Sequence, residues 1–252
     1  MVDIGEVAED FWNALQIGGI PEKWRTALTG EEGYRVQLAM QERHNSQGDT
    51  RIGWKVSATS AAVRRQLNLS EPGFGSIRQS KKYLSGHRLE LAGLIGPHAE
   101  SELCFELNAN IADVKQLDDV RGAIARCFPA FEISEKRVPI SDFGACMADN
   151  AEHTAIVLGE PIGDVFNIDF PDVVGSLEVD GKQIATAKGE VLGGSPLYSI
   201  LWLKQRLAEY GQRLEPGMLV MSGSFVRQIP IKSGQTFKIS FSKVGSASFT
   251  GV

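Results

Sequence analysis

The spacing of hydrophobic and polar positions changes at about residue 50. Before it, apolar residues recur at helical intervals: Ile4, Val7, Ala8, Phe11 and Leu15 follow Asp3, a residue suited to capping a helix, and the run stops at Gly18-Gly19-Ile20-Pro21. A second helix is predicted from Thr29, with Glu32 at the spacing of a capping box, to about Asn45. From Arg51 the period shortens to two. Ile52, Trp54, Val56 and Ala58 alternate with Gly53, Lys55 and Ser57, which predicts a strand with Lys55 on the face opposite the apolar set. A helical stretch over about Ser60 to Leu67 then leads into a loop at Ser70 to Gly75.

The clearest alternation runs from Glu100 to Leu107, with Leu103, Phe105 and Leu107 on one face and Glu100, Glu102, Cys104 and Glu106 on the other. A helix over about Leu117 to Cys127 and a short strand from Pro129 to Ile133 follow. Further on, Asp180-Gly181 between alternating residues signals a hairpin over Leu177 to Ile184. Pro196 opens a helix whose apolar positions are Leu197, Ile200, Leu201, Leu203, Leu207 and Ala208, with Gly211 as its stop. Strands are predicted at Met218 to Met221, Thr236 to Phe241 and Ser246 to Phe249. The expectation is an α+β protein, mainly β, with an N-terminal helical segment over 1–50 and a β domain over 51–252, the two forming one compact unit.

Composition narrows the function classes. A net charge of -5 without a basic cluster argues against nucleic acid as a partner. No apolar run approaches bilayer length, and Met-Val-Asp-Ile-Gly-Glu does not look like a signal peptide, so a cytoplasmic protein is expected. Cys104, Cys127 and Cys146 are widely spaced and are read as buried thiols rather than a disulfide framework or a zinc site.

Carboxylates at i and i+2 on a strand lie about 7 Å apart on one side and can converge on a hard divalent ion. Spacing alone nevertheless favours a solvent-facing strand for Glu100 and Glu102. Glu132 sits in the apolar segment Pro-Ala-Phe-Glu-Ile, where a metal or a salt bridge would offset its burial. Lys55 suits an acid/base or carboxylate-holding group, or a lysine reaching solvent along its stem. His153, beside Glu152 in a polar stretch, is an acid/base candidate by type, although the local sequence favours a surface position, as it does for His44, His87 and His98.

Taken in order, these segments resemble the 2-hydroxypenta-2,4-dienoate hydratase and 4-oxalocrotonate decarboxylase family of the fumarylacetoacetate hydrolase superfamily. Gly53-Trp54-Lys55-Val56 with Thr59-Ser60 looks like GxKIGxTS, Glu100-Ser101-Glu102-Leu103 like the family's E-x-E strand, and Pro129 to Ile133 like PAxEI. Ala148-Asp149-Asn150-Ala151 with Val157-Leu158-Gly159 is similar to ADNxS…VLG, Ser195-Pro196-Leu197 with Leu201-Trp202-Leu203 to HPLxxLxWL, and Ser222-Gly223-Ser224 to TGS.

The resemblance implies a β-roll of mixed sheets with Mg²⁺ or Mn²⁺ held by Glu100, Glu102 and Glu132. It implies a small 2-oxo or 2-enol carboxylic acid as substrate, Lys55 as the active-site lysine, and Ser60, Asp149, Ser222 and Ser224 against the substrate. It also implies a homo-oligomer and allows a hydratase–decarboxylase complex. The implied reaction is water addition to a 2-hydroxy-2,4-dienoate; a decarboxylase using Arg78 or Arg227, an acylpyruvate hydrolase and a non-catalytic partner subunit are the alternatives. Two departures stand out. Gly73 replaces the aspartate of the family's EPDFG, and Glu152 and His153 occupy a loop that is small in the family, which makes both candidates for the missing acid/base function.

Overall fold

The computed structural model describes residues 2–109 and 111–252. Six helices and thirteen strands follow in chain order among the described residues. The helices are α1 (Ile4–Gln16), α2 (Gly30–Ser46), α3 (Ala61–Leu67), α4 (Leu117–Gly122), α5 (Phe143–Ala148) and α6 (Tyr198–Ala208). The strands begin with β1 (Arg51–Ser57), β2 (Gly73–Arg78), β3 (Lys82–Leu84), β4 (His87–Leu89), β5 (Pro97–Leu107), β6 (Ile124–Glu135) and β7 (His153–Leu158). They continue with β8 (Val174–Val179), β9 (Lys182–Lys188), β10 (Leu219–Met221), β11 (Ile229–Pro230), β12 (Thr236–Phe241) and β13 (Gly245–Gly251).

Two sheets form the body. The larger has the order β2-β1-β10-β5-β6-β7-β3, with β11 paired to one end of β5, and mixes parallel with antiparallel neighbours. The smaller has the order β4-β13-β12-β8-β9. Phe131 of β6 meets Phe249 of β13 edge-on at 5.0 Å, and Phe249 stacks on Phe237 at 4.9 Å, so aromatic rings fill the space between the sheets. The fold has the strands and N-terminal helices that the pattern predicts, arranged as the roll of mixed sheets that the resemblance implies.

Local signals set the helix ends. Asp3 accepts hydrogen bonds from the amides of Gly5 and Glu6, and Thr29 and Glu32 form the reciprocal capping box. Such caps contribute about 1 kcal/mol each. Helix α1 buries Val7 and Phe11, and α2 buries Tyr34, whose ring stacks on Phe74 of β2 at 4.2 Å. The helices therefore share an apolar cluster with the large sheet. Asp180 and Gly181 both take positive φ between β8 and β9, as a two-residue hairpin turn requires.

The structure corrects the sequence reading at several places. The helix expected to run to Cys127 ends at Gly122, and Ile124 to Cys127 join a long β6 because they pair with Phe105 to Leu107 on β5. The expected loop through Gly73 and Gly75 is the start of β2, held by pairing with β1. His153 is the first residue of β7 and is buried, not exposed. His44, His87 and His98 are half-buried rather than on the open surface. The three cysteines are buried free thiols, as expected. Among the described residues, no helix is long and apolar enough to cross a membrane.

Candidate metal site and cleft

The β5–β6 register builds the acidic cluster. Glu100 stands directly opposite Glu132, and Glu102 lies two residues along β5 on the same side. Oxygen atoms of the three carboxylates lie within 4.8 Å of one another. The face carrying them is not solvent-facing: Glu102 is fully buried and Glu132 is 1% exposed. Three acidic groups so close in a dry setting repel one another unless cations intervene.

Lys55 supplies one cation. Strand β1 places it with its ammonium 3.3 Å from Glu132 Oε1, and it donates to the Ala151 carbonyl oxygen at 2.5 Å. Burial opposes its charge, but the carboxylates of Glu132, Glu100 and Glu152 outweigh that and raise its pKa. Burial also pushes Glu132 up, yet Lys55 and the hydrogen bond from His153 hold it in its ionised form. Glu100 and Glu102 move the other way, because burial and the neighbouring carboxylates both favour their protonated forms. Lys55 pairs with one carboxylate of a cluster that contains three.

The donor set fits a hard divalent ion. Glu102 Oε2 accepts from the Gly223 amide at 2.8 Å, while Glu102 Oε1 is buried without a hydrogen-bond partner among the described residues. An orphaned carboxylate oxygen beside two further carboxylates is what a divalent ion would satisfy. Gly223 is the residue that permits this approach. Its φ is +95°, and a Cβ would sit 2.3 Å from Thr59 Oγ1.

The cluster opens onto a cleft of about 550 Å³ lined by Lys55, Ser57, Ser60, Glu100, Glu152 and Ser224, among others. One wall is a left-handed turn in which Asn150, Ala151 and Glu152 all have positive φ, from 52° to 67°. Such residues cost of order 1 kcal/mol or more each unless their surroundings hold them. Here the Asn150 side chain accepts from the Ser76 amide at 2.7 Å and donates to the Ser76 carbonyl oxygen at 2.9 Å, tying the turn to β2. The turn presents the Ala151 carbonyl to Lys55 and aims Glu152 at Lys136, whose ammonium is 2.6 Å away.

Several sequence-predicted site residues stand elsewhere. His153 donates from Nδ1 to Glu132 Oε1 at 2.8 Å and faces a second cavity of about 300 Å³ behind the cluster. It therefore supports a cluster carboxylate instead of touching the cleft. Asp149 lines that second cavity and is paired with Arg137 through both carboxylate oxygens at 3.0 Å. Ser222 is fully buried and accepts from the Leu103 amide while donating to the Gly223 carbonyl oxygen. It braces the β10–β5 junction. Ser60 and Ser224 do line the cleft. Of the two arginines considered for a second carboxylate, Arg227 lines the cleft, whereas Arg78 lies in the second cavity beside Asp49.

Sequence reading missed Ser57, Lys136 and Gln228, all on the cleft wall. Lys136 follows β6, and only the fold brings it to Glu152. Gln228 lies beside the β11–β5 pairing, and its Oε1 is buried without a partner among the described residues.

A buried carboxylate trio on the large sheet of a mixed β-roll, next to a lysine, defines the class of the fumarylacetoacetate hydrolase-like proteins. Within that class, the chain belongs to the 2-hydroxypenta-2,4-dienoate hydratase family, and it is an enzyme of that family. It is 30% identical over 222 residues to a 2-hydroxypent-2,4-dienoate hydratase of Pseudomonas putida, covering 82% of this chain and 97% of that one. It is 29% identical over 229 residues to the 2-hydroxyhexa-2,4-dienoate hydratase of Comamonas testosteroni, covering 88% of this chain and 86% of the relative. Among solved structures, 4-oxalocrotonate decarboxylase from Pseudomonas putida G7, complexed with magnesium and adipate, superposes with a TM-score of 0.92. That likeness spans 99% of this chain and 97% of the decarboxylase at 25% identity. Fumarylpyruvate hydrolase from Pseudomonas aeruginosa, in complex with Mn²⁺ and pyruvate, shares the fold at a TM-score of 0.65 over 79% of this chain and 88% of that one, with 16% identity. No protein-family model matches the chain.

Proposed function

We propose that the protein is a divalent-metal hydro-lyase that adds water to a small 2-hydroxy-2,4-dienoate, with Mg²⁺ or Mn²⁺ held by Glu100, Glu102 and Glu132. The observation that carries this reading is the convergence of three buried carboxylates, one with an orphaned oxygen, beside a lysine in an open cleft. The names of the relatives in the family support the substrate class.

When bound, the ion supplies Lewis-acid stabilisation of the enolate that forms as a proton moves. The remaining work falls to the protein's own side chains. His153 positions Glu132 through their hydrogen bond. Lys55, held charged between Glu132 and the Ala151 carbonyl, presents a cation and a donor to the substrate's oxygen atoms. Ser60 and Ser224 contribute hydroxyl groups to the cleft wall. Glu152 is the cleft carboxylate available to carry a proton, since Gly73 has no side chain to do so.

Decarboxylation of a 2-oxo diacid is the second reading. Arg227 favours it, because this exposed cation lines the cleft. Incubation with 2-hydroxypenta-2,4-dienoate and with a 2-hydroxymuconate-type diacid, following dienol absorbance and CO₂ release, separates the two. Loss of the dienoate without CO₂ is expected; CO₂ release from the diacid alone would overturn hydration. In the same assays, unchanged Mg²⁺ affinity and turnover in Glu102→Gln would remove the metal assignment. The protein is further proposed to work as a cytoplasmic homo-oligomer, alone or with a decarboxylase partner, with 1–50 as a helical layer on the 51–252 β domain. Mass measurement in solution tests the assembly.

A further inference from the structure

The last residue of β1, Ser57, stands directly opposite Gly73 in the β1–β2 ladder. Side chains of directly opposed residues share one face of a sheet, and residues i and i+2 of a strand do the same. Ser57 and Lys55 therefore point to the same side, and both line the cleft. Gly73 leaves the space in front of it to Ser57: a Cβ on Gly73 would lie 2.8 Å from Ser57 Oγ and 3.1 Å from Met147 Sδ.

The hydroxyl in that space has nothing to bind. Ser57 Oγ is buried and has no hydrogen-bond partner among the described residues. A buried hydroxyl group without a partner is unfavourable, and this one belongs to a residue that lines the cleft. The next residue fixes the position. Ala58 has φ +53°, and its carbonyl oxygen and that of Thr59 accept from Arg64 at 2.9 and 2.7 Å, so the strained turn is clamped. The motifs that the chain resembles, GxKIGxTS and EPDFG, carry glycine at position 57 and aspartate at 73. Here the polar group enters the same space from the opposite strand.

We propose that the Ser57 hydroxyl holds the oxygen atom that is added to the substrate, as water before the reaction and as the C4 hydroxyl group after it. This rests on the hydratase reading of the cleft. A serine hydroxyl donates one hydrogen bond and accepts two, so it can orient water but does not retain a proton as a carboxylate does. The proton is therefore carried by Glu152 on the facing turn. The dienoate first ketonises, a proton leaving its 2-hydroxyl oxygen and one being gained at C5, to give the 2-oxo-3-enoate. The water oxygen then bonds to C4, and its proton passes to the Glu152 carboxylate. The C3–C4 π pair shifts towards the C2 oxygen, and the same proton is then returned to C3, so that one H₂O is added overall.

The contact is tested by calorimetry on the Mg²⁺-loaded protein with 4-hydroxy-2-oxopentanoate and with 2-oxopentanoate, which lacks the C4 hydroxyl group. The wild type is expected to prefer the hydroxy acid by about 10-fold, the range of one buried hydrogen bond. Ser57→Ala is expected to lose that preference while binding 2-oxopentanoate and Mg²⁺ as before, and to lower kcat more than it raises KM. A wild type without the preference, or a Ser57→Ala variant that keeps it, overturns the proposal. If the preference depends on Ser57 but no dienoate is consumed, the hydratase reading fails while the Ser57 contact stands.

Discussion

The two sides of the cleft are built by different means. The side proposed to hold the metal consists of Glu100, Glu102 and Glu132 on paired central strands, where register alone brings the carboxylates together and neighbouring strands hold both partners. The side proposed for proton transfer consists of Ser57 and Ala58 at the end of β1 and the left-handed Asn150–Glu152 turn, held by a few side-chain hydrogen bonds. Strand register is costly to alter, because a one-residue slip reverses every side chain. A clamped turn can exchange residues one at a time. The comparison explains why the carboxylates match the family motifs while Glu152, on the turn, departs from them.

Glu132→Ala is expected to have the largest effect. It removes a ligand and leaves Lys55 and His153 without their shared acceptor, so Mg²⁺ affinity should fall by more than about 100-fold and turnover should become undetectable. Titration calorimetry and the dienol assay check both. Full Mg²⁺ binding in this variant would break the distinction between the two sides at its stronger end.

Asn150→Ala probes the other side. Without the amide linking the turn to Ser76, the Ala151 carbonyl and Glu152 lose their fixed positions, and turnover should drop by about 10- to 100-fold, the usual consequence of misplaced groups. Mg²⁺ affinity should stay within about threefold. An equal fall in both quantities would mean that the sides are not separable.

pH sharpens the comparison because Glu100 and Glu102, on the carboxylate side, are both raised. Glu100 is pushed up from 4.5 to about 7 by burial and by Glu132. An acid whose folded-state pKa is raised binds more protons folded than unfolded, so the metal-free protein loses stability as pH rises from about 4.5 to about 7. Mg²⁺ binding needs the ionised form, so affinity should increase over the same interval, and the gain in melting temperature on adding Mg²⁺ should be larger at pH 8 than at pH 5. A gain that is equal at both values would argue that the cluster is ionised throughout.

Thr29→Ala lies outside the comparison and calibrates it. Loss of the capping box should cost about 1 kcal/mol of stability, read as a lower melting temperature, with Mg²⁺ affinity and turnover unchanged. A loss of turnover there would show that α2 controls the turn it packs beside.

The short-range features were legible without the fold. Asp3 and Thr29 cap their helices, Asp180-Gly181 turns a hairpin, and Glu100 and Glu102 share a side of β5, because each depends on residues a few positions apart. The ordered motifs added Lys55 and Glu132 to the pair. Other features had no local signal. The alternation of Glu and Leu on β5 does not say which face meets water, and burial of both faces follows from the strands and helices packed around it. The register opposing Glu100 to Glu132 and Ser57 to Gly73 is a property of paired strands. His153 looked exposed among polar neighbours, yet β7 pairing carries it behind Glu132. Sequence determined which groups are available and how each segment folds; tertiary structure decided which of them face one another in a dry cleft, since burial and proximity are set by chain segments far apart in sequence.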